Sequence, residues 1–311
     1  MNKKILLPSN DLLFKKLFGS QSNKHILIAL IKDFLDLDVG DLTIENPYNI
    51  RNFKVFENDQ EFLSTEVDVL ARLKDGSLVT IELQVRNELS FIERSIHYLS
   101  EKFVSNYARK DPEKKEGSSK YNSLKPVYGI NIVYFDLFND DQAFHKFTLY
   151  DIKNKVELKN RNDLPPLTVV YLDLTKSPDT LEGVLYFWYW YFKKGLVEKN
   201  SPEYLKDARK VLDYENLDLE ERTVLDAIER AKSKLESQIF TAEEEARERG
   251  LEQGLEQGLE QGLEQGLKQG LERGRTEGIR EAARKMLELG ESPEKIHIFT
   301  NLSIEEIEKL K

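Results

Sequence analysis

Two strand-like segments separated by a short polar turn place the strongest constraint on how this chain folds. The first segment runs from residue 62 to 73 and the second from 78 to 85, with Lys74-Asp75-Gly76 between them. Apolar and polar residues alternate along both segments, which is typical of strands with one buried face. The pattern predicts a β-hairpin, and the register of that hairpin decides which side chains share a face.

The turn between the two segments allows two registers. A two-residue loop would put Asp68 and Glu82 on different faces of the sheet. A three-residue loop, with Gly76 in the left-handed conformation, would pair Leu73 with Ser77 and set Asp68 opposite Glu82. We favour the three-residue loop, because it gathers the polar side chains of both strands on one face and leaves the other face apolar.

The favoured register brings two acids together. Opposed carboxylates repel each other, which is a cost that a purely structural hairpin would avoid. Carboxylate oxygens a few ångströms apart are nevertheless the ligands that a hard cation such as Mg²⁺ prefers. Asp68 and Glu82 are therefore a candidate metal site. The alternative is a solvent-facing sheet surface that carries two unrelated acids.

Helical and strand-like segments alternate through the first 200 residues, which predicts an α/β domain with a mixed sheet. Ser9 is the predicted N-cap of a first helix. A later helix is predicted from Asp179 to Gly195, and we interpret its aromatic run at 186–192 as core packing. The 311 residues include no cysteine, so a disulfide scaffold and a cysteine nucleophile are both excluded.

Beyond residue 200 the strand-like pattern disappears and a helical pattern replaces it. Eight glycines stand four residues apart from position 250 to position 278. Because a period of four exceeds the 3.6 residues of a helical turn, the glycine stripe rotates around the helix and forms no fixed seam. The repeat is either an assembly rod that lets helices approach closely or a low-complexity spacer, and the sequence leaves both open.

In the order of its motifs the chain resembles the recombination-promoting nuclease (Rpn) family of the PD-(D/E)XK nuclease superfamily, also described as PD-(D/E)XK nuclease family transposases. The matching elements are the opening segment 10–19, the strands 67–71 and 81–84, the helix with Arg94 and Tyr98, the segment 126–135 and the glycine-repeat tail. No single element is specific, but their order is. The resemblance implies a restriction-endonuclease-like core, a mixed sheet flanked by helices, followed by an all-helical C-terminal tail.

The resemblance also implies a site that cuts DNA with Mg²⁺ or Mn²⁺ as cofactor. On this chain Asp68 and Glu82 would hold the metal, with the backbone carbonyl of Leu83 as a third ligand. Gln84 stands where the broader superfamily has lysine. Glutamine can orient the attacking water by hydrogen bonding but cannot polarise it with a positive charge, so the metal would carry more of the water activation.

Three further residues are candidates for the same site. Asp11 lies early in the first helix, from which members of the superfamily bring an acid to the metal; an acid there is also favoured by the helix dipole alone. Arg94 and Tyr98 lie one turn apart on one helix face, where they can reach a phosphate or form a structural pair.

The segment 102–125 is locally basic, with seven Lys and Arg against three acids, although the whole chain has a net charge of -10. Its side chains are candidate contacts to the DNA backbone, which would give non-specific, salt-sensitive binding. The alternative is a solvated loop. The candidate residues are Arg109, Lys110, Lys114, Lys115 and Lys120.

We therefore expect a Mg²⁺-dependent DNA endonuclease that hydrolyses phosphodiester bonds, linked by the resemblance to recombination and transposition. The alternative is a catalytically silent nuclease-like scaffold that binds proteins or DNA through its helical tail. The expected regions are the nuclease-like domain 1–200, a helical extension 201–248, the repeat helix 249–280 and a small helical segment 281–311. A homo-oligomer through the tail and a cytoplasmic location without a membrane span are also expected.

Overall fold

The structure, a computed structural model, describes residues 5–53, 68–87, 89–105, 107, 121 and 124–310. A six-stranded mixed sheet organises its first part. Its strands are β1 (Leu42–Ile44), β2 (Val69–Leu73), β3 (Leu78–Gln84), β4 (Val127–Val133), β5 (Phe144–Thr148) and β8 (Leu167–Asp173), and a separate pair is formed by β6 (Tyr150–Asp151) and β7 (Val156–Glu157). The order across the sheet is β1-β2-β3-β4-β8-β5. The three central strands β3, β4 and β8 are parallel, and the outer strands pair antiparallel.

Helices cover both faces of this sheet. They are α1 (Asp11–Gly19), α2 (Lys24–Leu35) and α4 (Val184–Lys194) on one face and α3 (Phe91–Ser105) on the other. The chain also forms α5 (Glu203–Val211), α6 (Leu219–Glu288), α7 (Pro293–Thr300) and α8 (Ile304–Glu308). Together with the sheet they confirm the predicted mixed-sheet α/β fold followed by a helical tail. The chain divides into two units, residues 1–230 and 231–311.

The β2–β3 hairpin adopts the register with the three-residue loop. Gly76 has φ +89°, in the left-handed region that favours glycine. The N–H of Leu73 donates to the carbonyl of Ser77 at 2.9 Å, and the same register continues to the start of β2. Carried one residue further, it sets Asp68 opposite Glu82. The favoured register is confirmed, and the two-residue loop that would separate the acids is wrong.

The two faces of the hairpin pack against different helices. Val69, Ile81 and Leu83 are buried in the main core, together with residues of α1, α2 and α4. The opposite face packs against α3, where Leu99 clusters with Leu78 of β3 and Val127 of β4 and lies beside Gly129. Because side chains alternate along a strand, Glu82 faces α3 instead of the main core.

The aromatic run of α4 packs in the main core, as predicted. Trp188, Tyr189, Tyr191 and Phe192 are fully buried, and the rings of Trp188 and Phe192 stack with their centroids 5.6 Å apart. The remaining aromatic residues of this helix are partly buried against the same core.

Two predicted helix starts are wrong. Asn10, and not Ser9, is the N-cap of α1, because its side-chain oxygen accepts hydrogen bonds from the backbone N–H groups two and three residues further on. The helix expected from Asp179 begins only at Val184. Gly183 precedes it with φ +57°, a conformation that cannot continue a helix from the segment before it.

In the second unit the glycine repeat lies within the continuous helix α6, and α7 and α8 follow it. Ala283, Ile296 and Ile307 form a small buried cluster, and Ser303 with Glu306 forms a capping box at the start of α8. No strand occurs beyond residue 200 in the part of the chain that the structure describes. None of the helices described there has the length and apolar character needed to cross a membrane.

Candidate active site

Asp68 lies immediately before β2 and is held from two sides. Its Oδ2 accepts a hydrogen bond from the backbone N–H of Leu83 in β3 at 3.0 Å. Its Oδ1 lies 3.8 Å from the Nζ of Lys15 in α1, and its side chain is 20% exposed. The carboxylate is thus fixed between a strand and a helix, with a limited opening to solvent.

The surroundings of Asp68 disfavour its charged form. The pKa of this carboxyl is raised from 3.8 to about 6, mainly by burial and in smaller part by the nearby negative charge of Asp11. The hydrogen bond from Leu83 and the positive charges of Lys15 and Arg94 lower the same pKa, but they do not outweigh burial. A carboxylate that is costly to charge gains more than an exposed one from binding a cation, and such perturbed groups cluster at functional sites.

Glu82 opposes Asp68 on the neighbouring strand and is only 8% exposed. The parallel registers of β3, β4 and β8 set it level with Asn131 and Tyr171. The pKa of Tyr171 is raised, first by burial and then by the negative charge of Glu82, and its hydroxyl is 2.6 Å from that of Ser95 in α3. A row of polar side chains therefore crosses the centre of the sheet beneath α3.

The backbone of β3 adds a further oxygen on the side of Asp68. The N–H of Leu83 donates to Asp68, whereas the carbonyl of Gln84 accepts from Tyr134 on the β4 side at 3.0 Å. The N–H and C=O of one strand residue point to the same side, and those of the next residue point to the other side. The carbonyl of Leu83 therefore points away from β4, towards the side on which Asp68 lies.

The oxygen atoms at this place fit a hard divalent cation. Two carboxylates and one backbone carbonyl are ligands of the type that Mg²⁺ takes in proteins, with water and phosphate oxygens completing its coordination. Among the described residues no group of three or more acidic or histidine side chains is arranged to hold a metal. Within these residues Asp11 therefore does not complete a three-carboxylate cluster, and the further oxygen that they offer is the backbone carbonyl of Leu83.

Gln84 and Arg94 are joined across β3 and α3. The Oε1 of Gln84 accepts a hydrogen bond from Nη2 of Arg94 at 3.0 Å, and its Nε2 donates to the carbonyl of Arg86 at 3.0 Å. The guanidinium of Arg94 lies 5.2 Å from the ring centre of Phe91. Tyr98, one turn further along α3, is half-buried and its ring lies beside that of the neighbouring histidine.

The fold thus places most of the candidate residues around Asp68. Glu82 lies opposite Asp68, and the N–H of Leu83 donates to it. The charges of Arg94 and Asp11 are near enough to change the pKa of Asp68. The five candidate DNA contacts lie outside the described residues: Arg109, Lys110, Lys114, Lys115 and Lys120.

Sequence reasoning missed Lys15 and the polar neighbours of Glu82. Lys15 follows Asp11 by four residues, a spacing that puts both on one helix face, so this cation could have been found once Asp11 was a candidate. Asn131 and Tyr171 could not have been found in this way. Their alignment with Glu82 depends on parallel pairing between strands that are far apart in the chain.

A mixed sheet whose hairpin presents an aspartate opposite a Glu-Leu-Gln strand, with helices on both faces, defines the class of PD-(D/E)XK nuclease-like proteins. Residues 8–249 match the sequence profile of the family described as PD-(D/E)XK nuclease family transposase. The match covers well over half of the chain, and the chain belongs to this family. No curated protein and no solved structure matches it.

Proposed function

We propose that this protein is a DNA endonuclease that hydrolyses phosphodiester bonds with Mg²⁺ or Mn²⁺ as cofactor. The observation that carries the proposal is the hairpin register, which sets Asp68 opposite Glu82 and directs the backbone of Leu83 to the same place. Membership in a nuclease family supports it independently. The link to recombination and transposition rests on the family alone.

Each residue of the site has a distinct proposed task. Asp68, Glu82 and the Leu83 carbonyl would hold the cation, which would supply Lewis acidity at the scissile phosphate and acidify water. Gln84, fixed by Arg94, orients the attacking water by hydrogen bonding. Hydrolysis adds this water across one P–O bond and leaves a phosphate monoester and a free hydroxyl.

Binding of DNA is proposed to depend on charge and not on base sequence. The basic residues between 109 and 120 are the proposed contacts to the phosphate backbone. Contacts of this kind release counterions, so affinity should fall steeply as the salt concentration rises. Since no element of the described residues is assigned to base recognition, the proposal includes no preferred sequence.

We expect the full-length protein to nick supercoiled plasmid in Mg²⁺ or Mn²⁺ and to leave it intact in EDTA. Glu82→Gln removes a carboxylate ligand at nearly constant volume and should lower the nicking rate by more than about a hundredfold. Gel separation of supercoiled and open-circular DNA measures this directly. Equal nicking by wild type and Glu82→Gln would leave the catalytically silent scaffold as the better description.

The tail offers a separate proposal, a homo-oligomer formed through the repeat. The repeat leucines are 64–77% exposed, and a Cβ added at any glycine from 250 to 278 would meet nothing within 4 Å in this chain. Both features fit close approach of a second helix. They fit a solvated spacer equally well, so an experiment has to distinguish the two.

Replacing all eight repeat glycines by alanine should stabilise α6 by up to about 1 kcal/mol per position, because alanine costs less conformational entropy in a helix. If glycine permits close helix contact, the same change should dissociate the oligomer, as measured by light scattering on the full chain. Alanine at Gln253, Gln257, Gln261 and Gln265 is the control. A mass unaffected by the glycine substitutions would contradict the assembly proposal.

A further inference from the structure

Gln84 stands where this superfamily normally has a lysine, and its uncharged side chain is held by two hydrogen bonds. Gln84 uses its oxygen to accept from Arg94 and its nitrogen to donate to the carbonyl of Arg86, both at 3.0 Å. These contacts fix the glutamine at the end of β3. A positive charge for the phosphate must therefore come from another element of the fold.

Lys15 in α1 brings a positive charge to Asp68. Its Nζ lies 3.8 Å from Oδ1 of Asp68, close enough for attraction but beyond hydrogen-bonding distance. The ammonium lies 5.8 Å from the ring centre of Phe53, and the side chain is 23% exposed. Among the residues that the structure describes, this ammonium donates no hydrogen bond, so its N–H groups can meet a substrate oxygen.

The helix that carries Lys15 is firmly anchored. Phe14 and Phe18, which precede and follow Lys15 in α1, are fully buried, and their ring centres are 4.9 Å apart. The adjacent Lys16 pairs with a different acid, because its Nζ donates to both carboxylate oxygens of Glu221 at 2.5 and 2.6 Å. Two neighbouring lysines thus have different partners, and only Lys15 is directed to the candidate site.

We infer that Lys15 is a further catalytic residue, whose ammonium donates to a non-bridging oxygen of the scissile phosphate and supplies the positive charge that Gln84 lacks. The inference rests on the proposed nuclease function. Negative charge spreads over the phosphate oxygens in the transition state, and a preorganised cation stabilises it there. Arg94 is less suited to this task, since its Nη2 already donates to Gln84.

Lys15→Gln tests this role with two readouts that should move in opposite directions. The turnover rate on plasmid should fall about a hundredfold or more, as when one donor to a developing oxyanion is removed. The affinity for Mn²⁺ alone, measured by titration calorimetry without DNA, should rise several-fold, because one positive charge near the cation is gone. A substitution that merely disrupted the fold would weaken both.

Two further variants make the test specific. Lys15→Arg keeps the charge and should retain at least about a tenth of the wild-type rate, while Lys24→Gln removes a half-exposed lysine that pairs with Asp41 and should change neither readout. In the double variant Lys15→Gln, Gln84→Lys the charge returns from the strand. We expect the turnover rate of the double variant to be at least tenfold higher than that of Lys15→Gln.

The outcomes separate this inference from the nuclease proposal. If wild type nicks DNA but Lys15→Gln nicks equally fast, or if the double variant recovers nothing, the role of Lys15 is overturned while the nuclease stands. If wild type does not nick, the nuclease proposal fails. Even if wild type does not nick, an Mn²⁺ affinity that is the same in Lys15→Gln and wild type would show that the charge of Lys15 does not lie beside the metal.

Discussion

Asp68→Asn is expected to abolish metal-dependent nicking and, at the same time, to stabilise the metal-free protein at neutral pH. The rate should fall by more than about a hundredfold, because a direct metal ligand matters more than the outer-shell groups whose loss already costs 10–100-fold. The stability gain follows from the pKa of Asp68, which burial raises to about 6. Loss of activity together with a gain in stability is expected for a carboxylate that binds the metal but destabilises the metal-free fold.

The pH dependence of this gain has a definite sign. Well below the unfolded pKa of 3.8, Asp68 is protonated in both the folded and the unfolded chain and contributes nothing. Between about pH 4 and pH 6 the unfolded chain loses its proton first, so the wild type loses stability as pH rises. Above pH 6 the full cost of about 3 kcal/mol applies, which is the free-energy equivalent of raising this pKa from 3.8 to about 6.

Urea denaturation of wild type and Asp68→Asn in EDTA, at pH 4 and pH 8, measures the difference. We expect the variant to be more stable by about 1–3 kcal/mol at pH 8 and by less than about 1 kcal/mol at pH 4. Added Mg²⁺ should stabilise wild type and not the variant. The control is Asp38→Asn, an exposed acid paired with Lys32. A variant that is less stable than wild type at pH 8 would contradict the cost assigned to this carboxylate.

Trp188→Ala should have the largest effect on folding, a loss of about 3–5 kcal/mol in the free energy of unfolding. Trp188 is fully buried and stacks on Phe192 and Tyr204 at centroid distances of 5.6 and 5.8 Å. Its Nε1 donates to Oδ2 of Asp33 at 2.7 Å, and Tyr204 donates to the same oxygen at 2.6 Å. The substitution therefore opens a cavity and also removes one of two donors from a carboxylate whose pKa burial raises.

The two tryptophans of the chain provide a matched comparison. Trp188→Phe keeps most of the ring volume but removes the donor to Asp33, and should cost about 1–3 kcal/mol. Trp190→Phe should cost less, because the indole nitrogen of Trp190 has no hydrogen-bond partner within the part of the chain that the structure describes. Circular dichroism during urea denaturation measures both. Equal losses in the two variants would contradict the role given to the bond between Trp188 and Asp33.

The sequence predicted much of the local structure, because alternation, turn residues and helical periodicity all depend on residues that are close together in the chain. Alternation along β3, together with Gly76, was enough to select the hairpin register and the pairing of Asp68 with Glu82. The rotation of the glycine stripe and the core role of the α4 aromatic residues followed in the same way. The two wrong helix starts show the limit, since competing caps one residue apart and a glycine with positive φ have only weak local signals.

The amino-acid sequence by itself determined which acids face each other, because a hairpin register depends on a turn of three residues. Only the tertiary structure decided what surrounds them. Lys15 reaches Asp68 through the packing of α1, and Glu82 is level with Asn131 through parallel pairing with a distant strand. Burial, which raises the pKa of Asp68, is likewise a property of the assembled layers, since neither spacing nor periodicity shows how much water remains beside a side chain.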